Sequence, residues 1–229
     1  MKNLFIGLFI TIFALTGCSK LDNYAAPEEC LTGKLIDTTT GEPLITEQPN
    51  GFRIRYKEIS WSENPQPEYI WGKPDGSFMH SKMFPGTYEL TPVEGAFFPV
   101  EPKTVEIKGK VNVDFEVTPY MIVHIKSLER TSRETLRVEY TVSRPKVGDK
   151  IRDSRVFVST NPNVSNNIFD GDKAPWEDLF HMTDEEALAG TYVQEIGGLN
   201  PNKTYYVRVG ARTNNPSLRY NYTKVYELK

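Results

Sequence analysis

Val111, Val113, Phe115 and Val117 alternate with Asn112, Asp114 and Glu116, and this period of two is the strongest constraint the chain places on its own fold. Successive side chains of an extended strand point to opposite faces, so such a run has one apolar face to bury and one polar face for water. The pattern recurs. Phe52, Ile54 and Tyr56 alternate with Arg53, Arg55 and Lys57, and Leu136, Val138, Tyr140 and Val142 alternate with Arg137, Glu139 and Thr141. Tyr205, Val207, Val209 and Ala211 do the same against Tyr206, Arg208 and Gly210. Turn signals such as Thr40-Gly41-Glu42-Pro43, Pro74-Asp75-Gly76 and Asn200-Pro201-Asn202 separate the runs. One stretch reads as helix, Thr183 to Ala189, where Thr183 can cap a turn carrying Asp184, Glu185 and Glu186 near its positive end. Regularly spaced short strands build sandwiches or barrels, so the expected class is all-β. Pro119 cannot donate to a sheet, and a fresh apolar run starts at Met121. The break expected there divides the folded chain into residues 28–119 and 120–229, two β-sandwich domains in tandem.

The start of the chain reads differently. Met1, Lys2 and Asn3 precede an apolar run from Leu4 to Leu15. A membrane-spanning helix needs about 20 apolar residues, so this run is too short to span and has the form of a secretory signal instead. Leu15, Thr16, Gly17 and Cys18 resemble the bacterial lipobox. By that resemblance residues 1–17 are a lipoprotein signal peptide, Cys18 is the lipid anchor, and residues 18–27 are a lipidated tether. Several acyl chains hold a protein stably where one would not. The competing reading is an ordinary cleaved signal with an incidental Cys18. Ser19 after the cysteine resembles the pattern that favours the outer membrane, with the membrane face left open.

Composition narrows the function classes. The formal net charge of −3 becomes one unit more negative when Lys2 is removed, and no long basic run offers the cluster that nucleic acid requires. The chain has two cysteines. If Cys18 carries lipid, Cys30 has no partner for an internal disulfide, and stability must come from packing.

Two further resemblances name the halves. "TGKLIDTTTGEPL" followed by "PDGSFMHSKMFPGTYEL" resembles the transthyretin-like domains related to carboxypeptidase regulatory domains, through Gly33, Asp37, Thr40, Gly41, Pro43, Leu44, Gly76, Phe78, Pro85, Gly86 and Tyr88. In the pair Pro85-Gly86, proline presets φ and glycine tolerates positive φ, so a tight turn is expected. "GGLNPNKTYYVRVGARTNN" resembles the E-to-F corner and F strand of fibronectin type III domains, with Leu199, Pro201, Tyr205, Val207, Arg208, Val209 and Ala211 matching. Tyr205 is then the corner tyrosine, its hydroxyl turned back onto the preceding loop. This half lacks the early tryptophan of such domains, and Val138 and Tyr140 are expected to fill that space. Lipobox, tether, transthyretin-like domain, "DFEVTPY" and fibronectin-like domain together resemble a family of Bacteroidota lipoproteins without an assigned activity. Its members are typically encoded in polysaccharide-utilisation loci beside a TonB-dependent transporter and its glycan-binding lipoprotein partner.

No catalytic constellation stands out. His80, His124 and His181 are far apart and sit in no metal-binding motif, and neither a nucleophile elbow nor a glycine-rich phosphate loop occurs. No catalytic residue, metal ligand or cofactor is therefore assigned. Asp170, Asp172, Glu177 and Asp178 offer oxygen ligands for calcium, but Ala174 and Pro175 break the EF-hand order, and a solvated loop is the competing reading. Asp37-Thr38-Thr39 resembles a periplasmic O-glycosylation motif with Thr38 as acceptor; a turn closed by Asp37 is the alternative. Trp61, Tyr69 and Trp71 flank the loop "SENPQP", and Trp176 lies in the acidic loop. Exposed aromatic rings stack on sugars, so these four are the candidate ligand-binding residues, against the alternative that they pack the domains. The expectation is a non-catalytic outer-membrane lipoprotein that binds glycan or docks on a transporter complex. A structural spacer, which requires Trp61, Trp71 and Trp176 to be buried, and a hydrolase remain as alternatives.

Overall fold

The computed structural model describes residues 25–229. The signal segment, Cys18 and the first part of the tether lie outside the described residues. The described chain is nearly all β, and each half packs two sheets face to face.

The first half contains β1 (Glu29–Asp37), β2 (Arg53–Glu58), β3 (Glu68–Trp71), β4 (Ser77–Met83), β5 (Gly86–Val93), β6 (Lys103–Ile107), β7 (Lys110–Asn112) and β8 (Phe115–Val117). One sheet has the order β3-β2-β5-β6 and the other β4-β1-β7, with β8 also on β1. Leu31, Leu35, Phe52, Ile54, Phe78, Leu90, Ile107 and Phe115 interlock between them, none more than 2% exposed. The run from Val111 to Val117 is not one strand. β7 and β8 both run parallel to β1, and Val113 and Asp114 break the ladder between them. There the Asp114 carboxylate accepts the Lys34 N–H at 2.8 Å. The Val113 carbonyl lies so close over Gly33 that a Cβ on that glycine would meet it at 2.0 Å. Gly86 also differs from expectation, because its φ is not left-handed. A side chain there would press on Glu58 and Ser60, so what it provides is close approach.

The second half contains β9 (Ile122–Arg130), β10 (Leu136–Ser143), β11 (Ile151–Ser159), β12 (Trp176–Asp178), α1 (Asp184–Ala189), β13 (Tyr192–Ile196), β14 (Tyr205–Thr213), β15 (Asn221–Tyr222) and β16 (Tyr226–Leu228). A 3₁₀ turn at Gly171–Lys173 precedes β12. The sheet β13-β10-β9 packs on β12-β11-β14-β15, with β16 also on β14. Val138 and Tyr140 are fully buried, as the missing tryptophan requires, and Tyr140 shares a 2.8 Å hydrogen bond with the buried Ser154 hydroxyl. The Tyr205 hydroxyl accepts the Asn200 N–H at 3.0 Å, closing the corner. Thr183 caps α1 with a reciprocal capping box to Glu186, as the sequence predicts.

The outer face of β11 and β14 does not meet water throughout. Phe157, Val164 and Tyr220 form a third small core there, flanked by Phe169, Tyr206 and Tyr222. Arg208, expected on a wet face, is only 3% exposed. It donates to the Thr46 carbonyl of the first half at 3.0 Å and to the Val164 carbonyl at 3.3 Å. The Tyr222 hydroxyl donates to buried Glu47 at 2.6 Å. Asn221 joins the halves a second time, donating to the Ala96 carbonyl at 2.7 Å and accepting the Met121 N–H at 2.9 Å. The seam between the sandwiches is thus largely polar and fully enclosed at its centre.

Candidate functional site

Alternation along β2 and β3 turns Tyr56, Glu58 and Glu68 toward the opposite sheet, beside Ile54 and Ile70. Carboxylates at core-facing positions mark where the sandwich stops being a closed core. β4 contributes His80 and Lys82 from the facing sheet, and Tyr88 enters from β5. Trp61, Ser62, Pro65 and Gln66 form the rim. The result is an open groove of about 620 Å³ at one end of the first sandwich. That volume lies within the range of small-molecule sites.

Its floor is aromatic and its walls are polar. The Tyr56 hydroxyl donates to Glu68 at 2.6 Å, and its ring meets His80 edge to face at 5.8 Å. Burial, with the neighbouring Glu68 carboxylate, pushes the Tyr56 phenol above its ordinary value, so it stays a donor at neutral pH. The Tyr88 hydroxyl donates to the Phe84 carbonyl at 3.0 Å, and burial raises its phenol as well. Glu58 accepts the Ser60 N–H at 2.9 Å and the Ser60 hydroxyl. Trp61 is 68% exposed at the mouth. Such a groove can hold a ring against aromatic faces and bond its hydroxyls to carboxylate, imidazole and ammonium groups.

The structure separates the four candidate aromatics. Trp61 lines the groove. Tyr69 and Trp71 stand on the opposite face of β3, with the Arg53 guanidinium 4.0 Å from the Tyr69 ring centre and 5.1 Å from that of Trp71. Arg53 is also paired with Glu94. Trp176 is on the second half, in a different pocket with Arg155. All four are exposed, so the full burial of Trp61, Trp71 and Trp176 expected of a plain spacer is not found, but the three tryptophans lie on different surfaces and form no single exposed cluster. The sequence does not link Tyr56, Glu58, Glu68, His80, Lys82 and Tyr88 as a site, because four strands supply them; the local signal for it is a carboxylate on the apolar face of a strand.

The acidic loop does not converge on a point. Asp172 pairs with Lys173 at 2.6 Å, Glu177 takes the Gln194 amide, and Asp178 accepts the Phe180 N–H at 3.0 Å. Among the described residues no three His, Cys, Asp or Glu side chains gather as metal ligands. Asp37 closes its turn by accepting the Thr39 N–H and hydroxyl, both at 2.7 Å, while exposed Thr38 shares a hydrogen bond with Thr118. Cys30 is a half-buried free thiol on β1.

The fold has solved counterparts. A DUF3823 family protein from Bacteroides uniformis superposes with a TM-score of 0.77 at 24% identity, covering 88% of this chain and 99% of its own. A second B. uniformis structure, called a "putative carbohydrate binding protein", gives 0.74 at 24% identity over 89% of this chain and 99% of its own. A DUF3823 family protein from Parabacteroides merdae gives 0.71 at 20% identity over 90% and 100%. These likenesses show a shared fold across both halves. No curated protein sequence matches the chain. At the level of sequence families, residues 29–118 match the model described as "Protein of unknown function (DUF3823) N-terminal domain".

Proposed function

We propose that this protein is a non-catalytic carbohydrate-binding lipoprotein that captures glycan in the groove of its first sandwich. The observation that carries the reading is the groove itself, with Trp61 exposed over a floor of Tyr56 and Tyr88 and with Glu58, Glu68, His80 and Lys82 around it. Sugars present apolar C–H faces and a fringe of hydroxyls, and this site offers a partner to each. The fold shared with a structure called a "putative carbohydrate binding protein" adds support at the level of architecture. In this reading the chain sits on the outer membrane, anchored through Cys18 of the lipobox-like Leu15-Thr16-Gly17-Cys18 and docked beside a TonB-dependent transporter and its glycan-binding lipoprotein; the support is the lipobox for the anchor and Ser19 after it for the membrane.

The test is equilibrium binding of the full chain to a panel of polysaccharides, with Trp61→Ala as the diagnostic variant. Wild type binds at least one glycan, and the variant loses about tenfold, equivalent to about 1.4 kcal/mol. No binding anywhere in the panel, with no transporter subunit recovered on pull-down, overturns the reading.

A further inference from the structure

A second pocket lies on the outer face of the five-stranded sheet of the second half, far along the chain from the groove. Three arginines of β11 and β14 stand on that face against aromatic rings. Arg208 sits 3.8 Å from the centre of Tyr222 and Arg212 4.4 Å from that of Tyr220. Arg155 lies 5.5 Å from Phe169 and 5.8 Å from Trp176. The cross-strand register explains the row, because Trp176 on β12 is directly opposite Arg155 on β11.

The three arginines differ in what answers their charge. Arg208 is spent on the seam, where it donates to two carbonyls. Arg212 holds Asp153 through Nε at 2.9 Å and Nη2 at 2.8 Å, and Arg152 approaches the same carboxylate at 3.5 Å. Among the described residues Arg155 makes no ion pair and no side-chain hydrogen bond, and its buried Nε has no acceptor. Its guanidinium lies near the Phe157, Phe169 and Trp176 rings, which take none of its N–H donors as a hydrogen-bonding acceptor would.

Arg155 lines a pocket of about 340 Å³ with Arg152, Arg212, Trp176, Phe180 and His181. The carboxylates present are already engaged. Asp153 is committed to Arg212 and Tyr220, and Asp178 accepts the Phe180 N–H with His181 3.5 Å away. Positive charge is therefore in excess, next to a tryptophan that is 51% exposed. A guanidinium fork matches a carboxylate or sulfate, and a tryptophan face matches the C–H face of a sugar ring.

We propose that this pocket binds a sugar residue bearing an anionic group, with the anion on Arg155 and the ring on Trp176. The proposal deepens the glycan-binding reading by naming acidic polysaccharide as the ligand class, and it puts a second contact point on the other sandwich. Arg155 and Trp176 are binding residues in it.

The experiment uses the full chain and three probes: an oligogalacturonide, its fully methyl-esterified form, and a chondroitin sulfate oligosaccharide. Titration calorimetry at low ionic strength compares wild type with Arg155→Gln, Trp176→Ala and Trp61→Ala. Expected is at least tenfold tighter binding of one acidic probe than of the neutral ester, with that preference lost in Arg155→Gln and affinity reduced at least tenfold in Trp176→Ala. Which acidic probe wins tells a glycan bearing carboxylates alone from one that also bears sulfate. Trp176 is exposed on an edge strand, so its variant stays folded and keeps the test decisive even if Arg155→Gln does not. No binding of either acidic probe, equal binding of the ester, or a preference that survives both variants overturns the proposal. The two readings fail separately. Neutral glycans bound through Trp61 without acid preference retire only this pocket, whereas acid preference that follows Arg155 and ignores Trp61 retires only the groove.

Discussion

Tyr205 shows how much one hydroxyl can organise. Its ring is 3% exposed within the second core, while its oxygen accepts the Asn200 N–H at 3.0 Å and so holds the loop that enters β14. Tyr205→Phe keeps the packing and removes the acceptor, leaving a partly buried N–H unpaired. The expected loss is about 1 kcal/mol in urea unfolding, with the denaturant dependence unchanged. Equal midpoints for the two proteins would show that the corner bond contributes nothing. This residue was legible in advance because the motif around it names a position and a role together. Arg208, in the same strand, was not: alternation put it on the outer face, and only the apposed first half turns that face into an interior.

Among the elements, α1 is short and depends on its ends. The capping box of Thr183 and Glu186 satisfies the first turn, and Asp184 fastens the helix to the strands beside it. The Asp184 carboxylate accepts from Lys150 at 3.1 Å and from the Ile151 N–H at 3.2 Å, and pairs with Arg144 at 2.9 Å. Burial opposes its ionisation, but these bonds and charges outweigh that and hold its carboxyl below the ordinary 3.8. A depressed carboxylate stabilises the fold above its unfolded value and loses that contribution as pH falls through the folded one. Asp184→Asn should therefore cost about 2 kcal/mol near neutral pH. The gap between variant and wild type should close as pH is lowered below 3.8, followed by urea melts across the acid range. A gap independent of pH would mean the charge is not what matters. The cap was readable from sequence because it is local. Its partners at positions 144 and 150 were not, because helix and strands meet only in the folded chain.

For the whole molecule, the decisive feature is the seam. Burial pushes the Arg208 guanidinium down to about 10 and raises the Glu47 carboxyl, so two ionisable groups are held out of water where the sandwiches meet. Asn221 completes the joint with one side chain bonded to both Ala96 and Met121. Asn221→Ala leaves the buried Met121 N–H without its partner and the Ala96 carbonyl with only the Tyr120 N–H at 3.3 Å, at a cost of about 2 kcal/mol. Scanning calorimetry should show one cooperative transition for wild type and a separate low-temperature shoulder for the variant, since the halves no longer support each other. An unchanged single transition would show that the halves are coupled by other contacts. The same joint bears on binding, because the groove and the acidic-sugar pocket belong to different sandwiches and act on one glycan only if the seam keeps them together.

The sequence alone determined the all-β character, the alternation of buried and outward positions, the helix cap and the corner tyrosine. The first three rest on neighbours a few residues apart, and the corner tyrosine on the resemblance of its motif to fibronectin type III domains. Tertiary structure alone decided which outward faces are wet. It buried Arg208, split the run from Val111 to Val117 where Val113 crosses Gly33, and sent Trp61, Trp71 and Trp176 to different surfaces. It also assembled Tyr56, Glu58, Glu68 and His80 into a groove from strands with no local relation in sequence. Periodicity specifies a face, and only the packing of one sheet or one sandwich against another specifies what that face meets.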